Sequence, residues 1–148
     1  FLAQENVLHL GLTDGQAPYV VPMSYGFDWP EDGKPTFYLH CAGEGLRLSL
    51  IRKNPRVCVE ISKQIRIVPG PVPCSWTSKY KSVIAFGTAQ LLADPSEKVA
   101  ALRAVLRQSG YKDTAKFTSE MLTRVTALRI DVESMTGKSN LRPDEEDI

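Results

Sequence analysis

The sequence predicts a mainly β protein, an antiparallel barrel of six strands with two or three helices at its ends. Three observations carry that expectation. Hairpin chemistry comes early, at Thr13-Asp14-Gly15-Gln16, between two runs rich in β-formers. A long alternating run from about Ser75 to Leu92 puts Val83, Ala85, Gly87, Ala89 and Leu91 on one face, as a strand curling round a barrel requires. Helical patterns are too few to alternate with the strands, which excludes a parallel βαβ sheet and a dinucleotide-type glycine turn.

Taken in order, residues 6–12 alternate as a first strand, and residues 18–26 form a second. Pro22 inside that run removes a ladder donor, so the strand is expected to break there, freeing backbone groups of Met23 and Ser24. Residues 28–35 read as a loop and residues 36–41 as a third strand. Leu46, Leu50 and Ile51 recur at helical spacing until Asn54-Pro55 stops them. Residues 57–62 alternate as a fourth strand, and the prolines of residues 69–73 force an irregular loop. The fifth strand is the long run. Asp94-Pro95-Ser96-Glu97 then starts a helix, with Asp94 as N-cap, Pro95 at its first position and Glu97 completing a capping box. Val99, Leu102, Val105 and Leu106 form its buried stripe and Gly110 ends it. A short helix is expected within residues 117–124. Leu128, Ile130 and Val132 alternate with charged residues as a closing strand.

The 148 residues suffice for one domain with a real core. That domain is placed at residues 1–138, followed by an acidic tail, 139–148, frayed or packed on a partner. A net charge of +1 gives no bulk attraction to nucleic acid or anionic membrane. No apolar run approaches the ~20 residues of a membrane span. Cys41, Cys58 and Cys74 are odd in number, lack metal-ligand spacing, and read as reduced thiols of a cytoplasmic protein. The chain opens at Phe1, which leaves open what precedes it.

Two stretches carry candidate chemistry. In Ala42-Gly43-Glu44-Gly45 a strand hands over to a helix through two glycines, which let a ligand approach backbone amides. The helix start points unpaired N–H groups and the positive end of its dipole at the turn, and Arg47 can fork onto an anion there. A plain strand-to-helix connection with an exposed arginine has the same pattern. The second stretch, residues 74–83, sets Trp76, Tyr80, Lys79, Lys81 and several hydroxyls at the mouth of the long strand. It reads as a solvated strand end, as a flat charged ligand's site held by Lys81 and Ser82, or as an oligonucleotide-binding barrel. No GxSxG elbow is present, and no pattern pairs His9 or His40 with a nucleophile.

Several segments also occur together in a known order. They are residues 19–26 (YVVPMSYG), 37–47 (FYLHCAGEGLR), 54–60 (NPRVCVE), 80–87 (YKSVIAFG), 94–98 (DPSEK) and 130–138 (IDVESMTGK). The series resembles the FMN-binding split-barrel proteins of the pyridoxamine 5′-phosphate oxidase-like superfamily, on the nitroimidazole-resistance (Nim-like) branch. The resemblance implies a six-stranded antiparallel split barrel that forms a homodimer, with FMN in a groove at the subunit interface. It places Pro22, Met23 and Ser24 along the isoalloxazine, and His40 and Ala42 near the ring and ribityl chain. Arg47 falls on the phosphate, Lys81 and Ser82 on a second phosphate-side contact, and Trp76 on the rim. The two readings agree on one phosphate locus. Leu46 stands where the family commonly has a second basic residue. The last strand lacks the arginine and histidine pairing of the oxidase proper, which argues against vitamin B6 oxidation.

The function expected is therefore a cytoplasmic FMN-dependent oxidoreductase that takes hydride from a nicotinamide donor and reduces a small acceptor such as a nitroaromatic. No nucleic acid, membrane or metal is expected. No side chain is assigned as acid or base, and His40 is the nearest candidate. A non-catalytic flavin- or haem-binding split barrel stands as the alternative.

Overall fold

The computed structural model describes residues 1–112, 114–142 and 145. Its six strands are β1 (Val7–Thr13), β2 (Pro18–Asp28), β3 (Thr36–Ala42), β4 (Arg56–Val68), β5 (Thr77–Leu91) and β6 (Val125–Ser139). They close into an antiparallel barrel in the order β1-β2-β3-β6-β5-β4. The three helices are α1 (Leu46–Lys53), α2 (Pro95–Gln108) and α3 (Ser119–Arg124). No helix among the described residues is long and apolar enough to cross a membrane.

Alternation decides which side chains fill the barrel. β1 turns Leu8, Leu10 and Leu12 inward, β4 turns Val57, Val59 and Ile61, and β3 turns Phe37 and Leu39. Full burial of such a side chain contributes about 1.5–3 kcal/mol. Tyr25 is buried among them, packed edge-on against Phe37 at 5.7 Å. Its hydroxyl donates to the Leu2 carbonyl at 2.7 Å. Burial, with the Glu5 charge second, pushes the phenol's pKa well above its usual value. α1 closes one end of the barrel, burying Leu48, Leu50 and Ile51. The Asn54 amide then donates to the Thr13 carbonyl at 3.1 Å, tying the helix end to the first hairpin.

α2 lies on the outside of β2 and β3. Its N-cap is as read: the Asp94 carboxylate accepts from the amides of Ser96 (2.8 Å) and Glu97 (3.0 Å). The capping box differs, because the Glu97 carboxylate reaches toward Arg129 (3.6 Å) and its helix keeps a one-sided cap. The helix can sit close to the sheet because residue 26 is glycine. A Cβ there would stand 2.1 Å from the Ala104 carbonyl carbon.

Two strands exceed their expected bounds. β4 continues to Val68 and β6 runs from Val125 to Ser139. Past Ile61 on β4 and past Val132 on β6 no side chain is buried, so no inward pattern marks the continuation. The far parts of β4 and β5 form a hairpin arm beyond the core, with a bulge between Gln64 and Arg66. After β6, the Asn140 side chain acts as one more rung. It accepts from the Tyr80 amide (2.9 Å) and donates to the Ser78 carbonyl (2.7 Å). Glu145 then bridges Lys79 (2.9 Å) and Arg66 (2.6 Å). Residues 143, 144 and 146–148 of the expected tail lie outside the described residues.

Gly26→Ala forces α2 off the sheet and is expected to destabilise the protein by about 1–3 kcal/mol, read by urea denaturation. The Glu145 carboxyl is pulled from the usual 4.5 to about 2, chiefly by the Arg142 amide and then by Lys79 and Arg66. A lowered folded-state pKa stabilises above 4.5 and stops doing so as pH falls toward 2. The Tyr80 and Asn140 amide resonances of the folded protein should therefore hold constant down to about pH 3 and shift as the pH approaches 2.

Candidate functional site

The barrel is open along one seam. β2 pairs with β1 from Pro18 to Ser24, but with β3 only from Tyr25 (opposite Leu39) to Asp28 (opposite Thr36). β3 nevertheless continues to Ala42, its other edge on β6, with His40 opposite Ala127 and Ala42 opposite Val125. Beyond Tyr25 and Leu39 the facing edges part. Pro18–Ser24 line one side of the gap and His40–Ala42 the other.

Pro22 accounts for the parting, in a way the sequence reading did not foresee. The strand is continuous through Pro22, which sits opposite His9 on β1. A proline fits a ladder where its nitrogen faces an unpaired side. Period two then directs the Ser24 N–H and C=O toward that same open edge. The side chains of Pro22, Ser24, His40 and Ala42 are exposed at the seam. Met23 is 5% exposed and belongs to the core, and the same period turns its N–H and C=O toward Leu8 of β1, so of the two residues only Ser24 offers backbone groups to the gap.

At the end of β3 the turn runs directly into α1. Gly45 is its N-cap at φ 135°, a conformation costly for any other residue, and no side chain caps the helix. A Cβ at Gly43 or Gly45 would meet nothing within 4 Å, so the turn borders open space. Arg47, in the first turn, is half-buried and makes no ion pair among the described residues. Its charge reaches the Cys41 thiol, which burial pushes up and Arg47 partly pulls back. Main-chain donors, a helix start and one guanidinium converge there on a space the protomer does not fill.

The second expected locus lies elsewhere. Lys81 and Ser82 line a groove of about 280 Å³ together with Phe1, Lys138 and Ser139. Ser82 pairs with Lys138 and Lys81 with Ser139, the last residues of β6. His40 and Ala42 pair with the first residues of β6. Within one protomer, then, Arg47 and the Lys81–Ser82 pair stand at opposite ends of the barrel. They make two basic loci where the sequence suggested one. Trp76, 57% exposed, sits at the arm's tip with Ile67 and Val72.

The sequence reading missed the placement of Lys138 and the partner of His9. Lys138 sits opposite Ser82, its ammonium 5.8 Å over the Tyr80 ring. The signal was there, as a lysine in register with Ser82, but β6 was ended too early to place it. His9, opposite Pro22, has its Nδ1 2.9 Å from a Glu60 carboxylate oxygen. That partner comes from a strand 51 positions on and has no local signature. On the same outer face Val20, Gly11, Cys58 and Phe86 are laterally paired across four strands. They border a hollow of about 300 Å³ in which Val20 is 62% and Phe86 50% exposed.

No functionally curated protein matches the chain. Among solved structures, it resembles a putative 5-nitroimidazole antibiotic resistance protein from Bacteroides thetaiotaomicron. The identity is 29%, over 92% of this chain and 78% of that one, with a TM-score of 0.76. An FAD- and haem-binding protein from Mycobacterium smegmatis (17% identity, 99% and 71% coverage, TM-score 0.77) shares the fold. So does an FAD-binding protein from Mesorhizobium loti (23% identity, 95% and 90% coverage, TM-score 0.65). The family model described as pyridoxamine 5′-phosphate oxidase matches residues 1–139. With that match across nearly its whole length, and a barrel parted between β2 and β3, the chain belongs to the pyridoxamine 5′-phosphate oxidase-like family of split-barrel proteins.

Proposed function

We propose that the protein is an FMN-dependent oxidoreductase, active as a homodimer, that reduces a small acceptor such as a nitroaromatic. The carrying observation is the seam between β2 and β3, ending at the uncapped start of α1 beside Arg47. The nitroimidazole-resistance protein it resembles, and neighbours described as flavin-binding, support the ligand class.

The donor set fits such a cofactor. The backbone groups of Ser24 border the seam, where amide and carbonyl can meet the polar rim of a flat ring. The turn lacks Cβ atoms at Gly43 and Gly45, and its amides with Arg47 suit a phosphomonoester. A bound flavin supplies the hydride and electron chemistry. The protein's part is to hold the ring's edge, neutralise the phosphate and keep water away. His40 stands exposed at the seam, within its own strand's reach of whatever occupies it.

One protomer does not complete this site. Lys81, Ser82 and Trp76 stand at the end away from Arg47, so a second copy must bring its own set to the first copy's seam. The exposed apolar row of Val20, Ile84 and Phe86 gives that copy a surface to cover. A carrier that binds flavin or haem without turnover is the alternative, favoured by the haem-binding neighbour. Haem would need an axial ligand, for which the sequence offers His9, its Nδ1 on Glu60, and His40.

The purified protein should be yellow, oxidise a nicotinamide donor with a nitroaromatic acceptor, and sediment as a dimer. Colour without turnover would select the carrier reading. Arg47→Ala should weaken FMN binding by about 1.5–3 kcal/mol, in fluorescence titration, with an unchanged melting curve of the FMN-free protein.

A further inference from the structure

The hairpin arm opposes like charges. Arg66 on β4 stands directly opposite Lys79 on β5, and Lys63 directly opposite Lys81. Two cations facing each other across a strand pair repel unless an anion lies between them. At the outer pair that anion is internal. Glu145 reaches Arg66 Nη2 with Oε1 (2.6 Å) and Lys79 Nζ with Oε2 (2.9 Å). Its Oε2 also accepts from the Arg142 amide (2.7 Å), and Lys79 Nζ donates further to the Asn140 carbonyl (3.0 Å). The Lys79 side chain is only 14% exposed, so the ammonium is held within a built pocket and is not solvated at a strand end. The β4 bulge just before Arg66 turns the guanidinium onto this spot. A guanidinium and an ammonium converging on two oxygens is a donor set for a phosphomonoester as much as for a carboxylate.

We infer that Arg66 and Lys79 form a phosphomonoester-binding clamp which Glu145 occupies in cis, so that a phosphorylated ligand on the arm displaces the C-terminal segment. The inference needs no flavin at the seam. The tether from Asn140 to Glu145 is short, so Glu145 competes at an effective concentration on the order of millimolar. A phosphate dianion brings a second charge and a third oxygen to the same two cations. The phosphate could belong to FMN or to a phosphorylated nicotinamide donor, and the chemistry of capture is the same.

The test is calorimetric titration of inorganic phosphate into the wild type, Glu145→Gln, and Glu145→Gln combined with Arg66→Ala or Lys79→Ala. Circular dichroism checks that each is folded. Glu145→Gln should bind phosphate about tenfold more tightly than the wild type, and loss of either cation should abolish the gain. Equal affinity in the wild type and Glu145→Gln overturns the clamp, as does a gain that survives loss of either cation. As a measurement on the unaltered protein, phosphate should shift the Asn140 and Glu145 amide resonances, and no shift at saturating phosphate overturns it. Source is decided by pairing FMN with riboflavin and NADPH with NADH. The clamp's ligand is the pair whose phosphorylated member alone gains from Glu145→Gln, and a gain in neither pair overturns its role in capturing either cofactor. A protein that binds phosphate this way but no flavin would refute the oxidoreductase reading and leave the clamp standing.

Discussion

A strand inside a closed barrel needs a hydrogen-bonding partner on each side, and proline can satisfy only one of them. Everything distinctive in this molecule follows from where that conflict falls. Pro22 lies in the middle of β2, with β1 paired along one edge. The other edge must go unpaired, and β3 departs from it just before Ser24. β3 survives the divorce because β6 takes its far edge from Thr36 to Ala42. A barrel that would otherwise be all core and no cleft thereby acquires a slot with backbone groups on one wall and a helix start at its foot. The cost of unpaired main-chain groups is tolerable where water or a ligand can reach them.

What lay in the sequence and what did not divides along burial. Leu8, Leu10 and Leu12, or Val57, Val59 and Ile61, announce their strands because an inward face leaves a period of two. The Asp94 cap was legible for a similar reason, since its chemistry is complete within four residues. The arm was not legible: beyond Ile61 both faces are wet, and nothing in Lys63 to Val68 separates strand from loop until β5 is seen pairing with it. Pro22 shows a subtler failure. The residue was rightly taken to disturb pairing, but its effect fell on the neighbouring ladder while β2 itself stayed whole.

The proposed anion sites follow the same rule. Arg47 could be placed from sequence because turn, helix start and guanidinium are consecutive. Lys138 and the Arg66–Lys79 pair could not, because each depends on register between strands far apart in the chain. Family likeness singled out Lys81 and Ser82, but likeness carries no information on which copy of the chain supplies which residue. Only the barrel's topology shows that Arg47 and Ser82 stand at opposite ends.

That separation is itself an argument about assembly. In an antiparallel barrel the odd strands finish where the even ones begin, so the β3–α1 turn and the start of β5 cannot share an end in one chain. A ligand needing both must lie between two chains. The outer face joining the ends leaves the apolar side chains of Val20, Ile84 and Phe86 uncovered. A two-fold pair built on that face is self-complementary by construction, each copy receiving what it gives. His9 and Glu60 lie on the same face, beside Pro22, and would be drawn from water into such an interface. There their 2.9 Å contact would exchange the weak energetics of a surface pair for the larger stakes of a buried one.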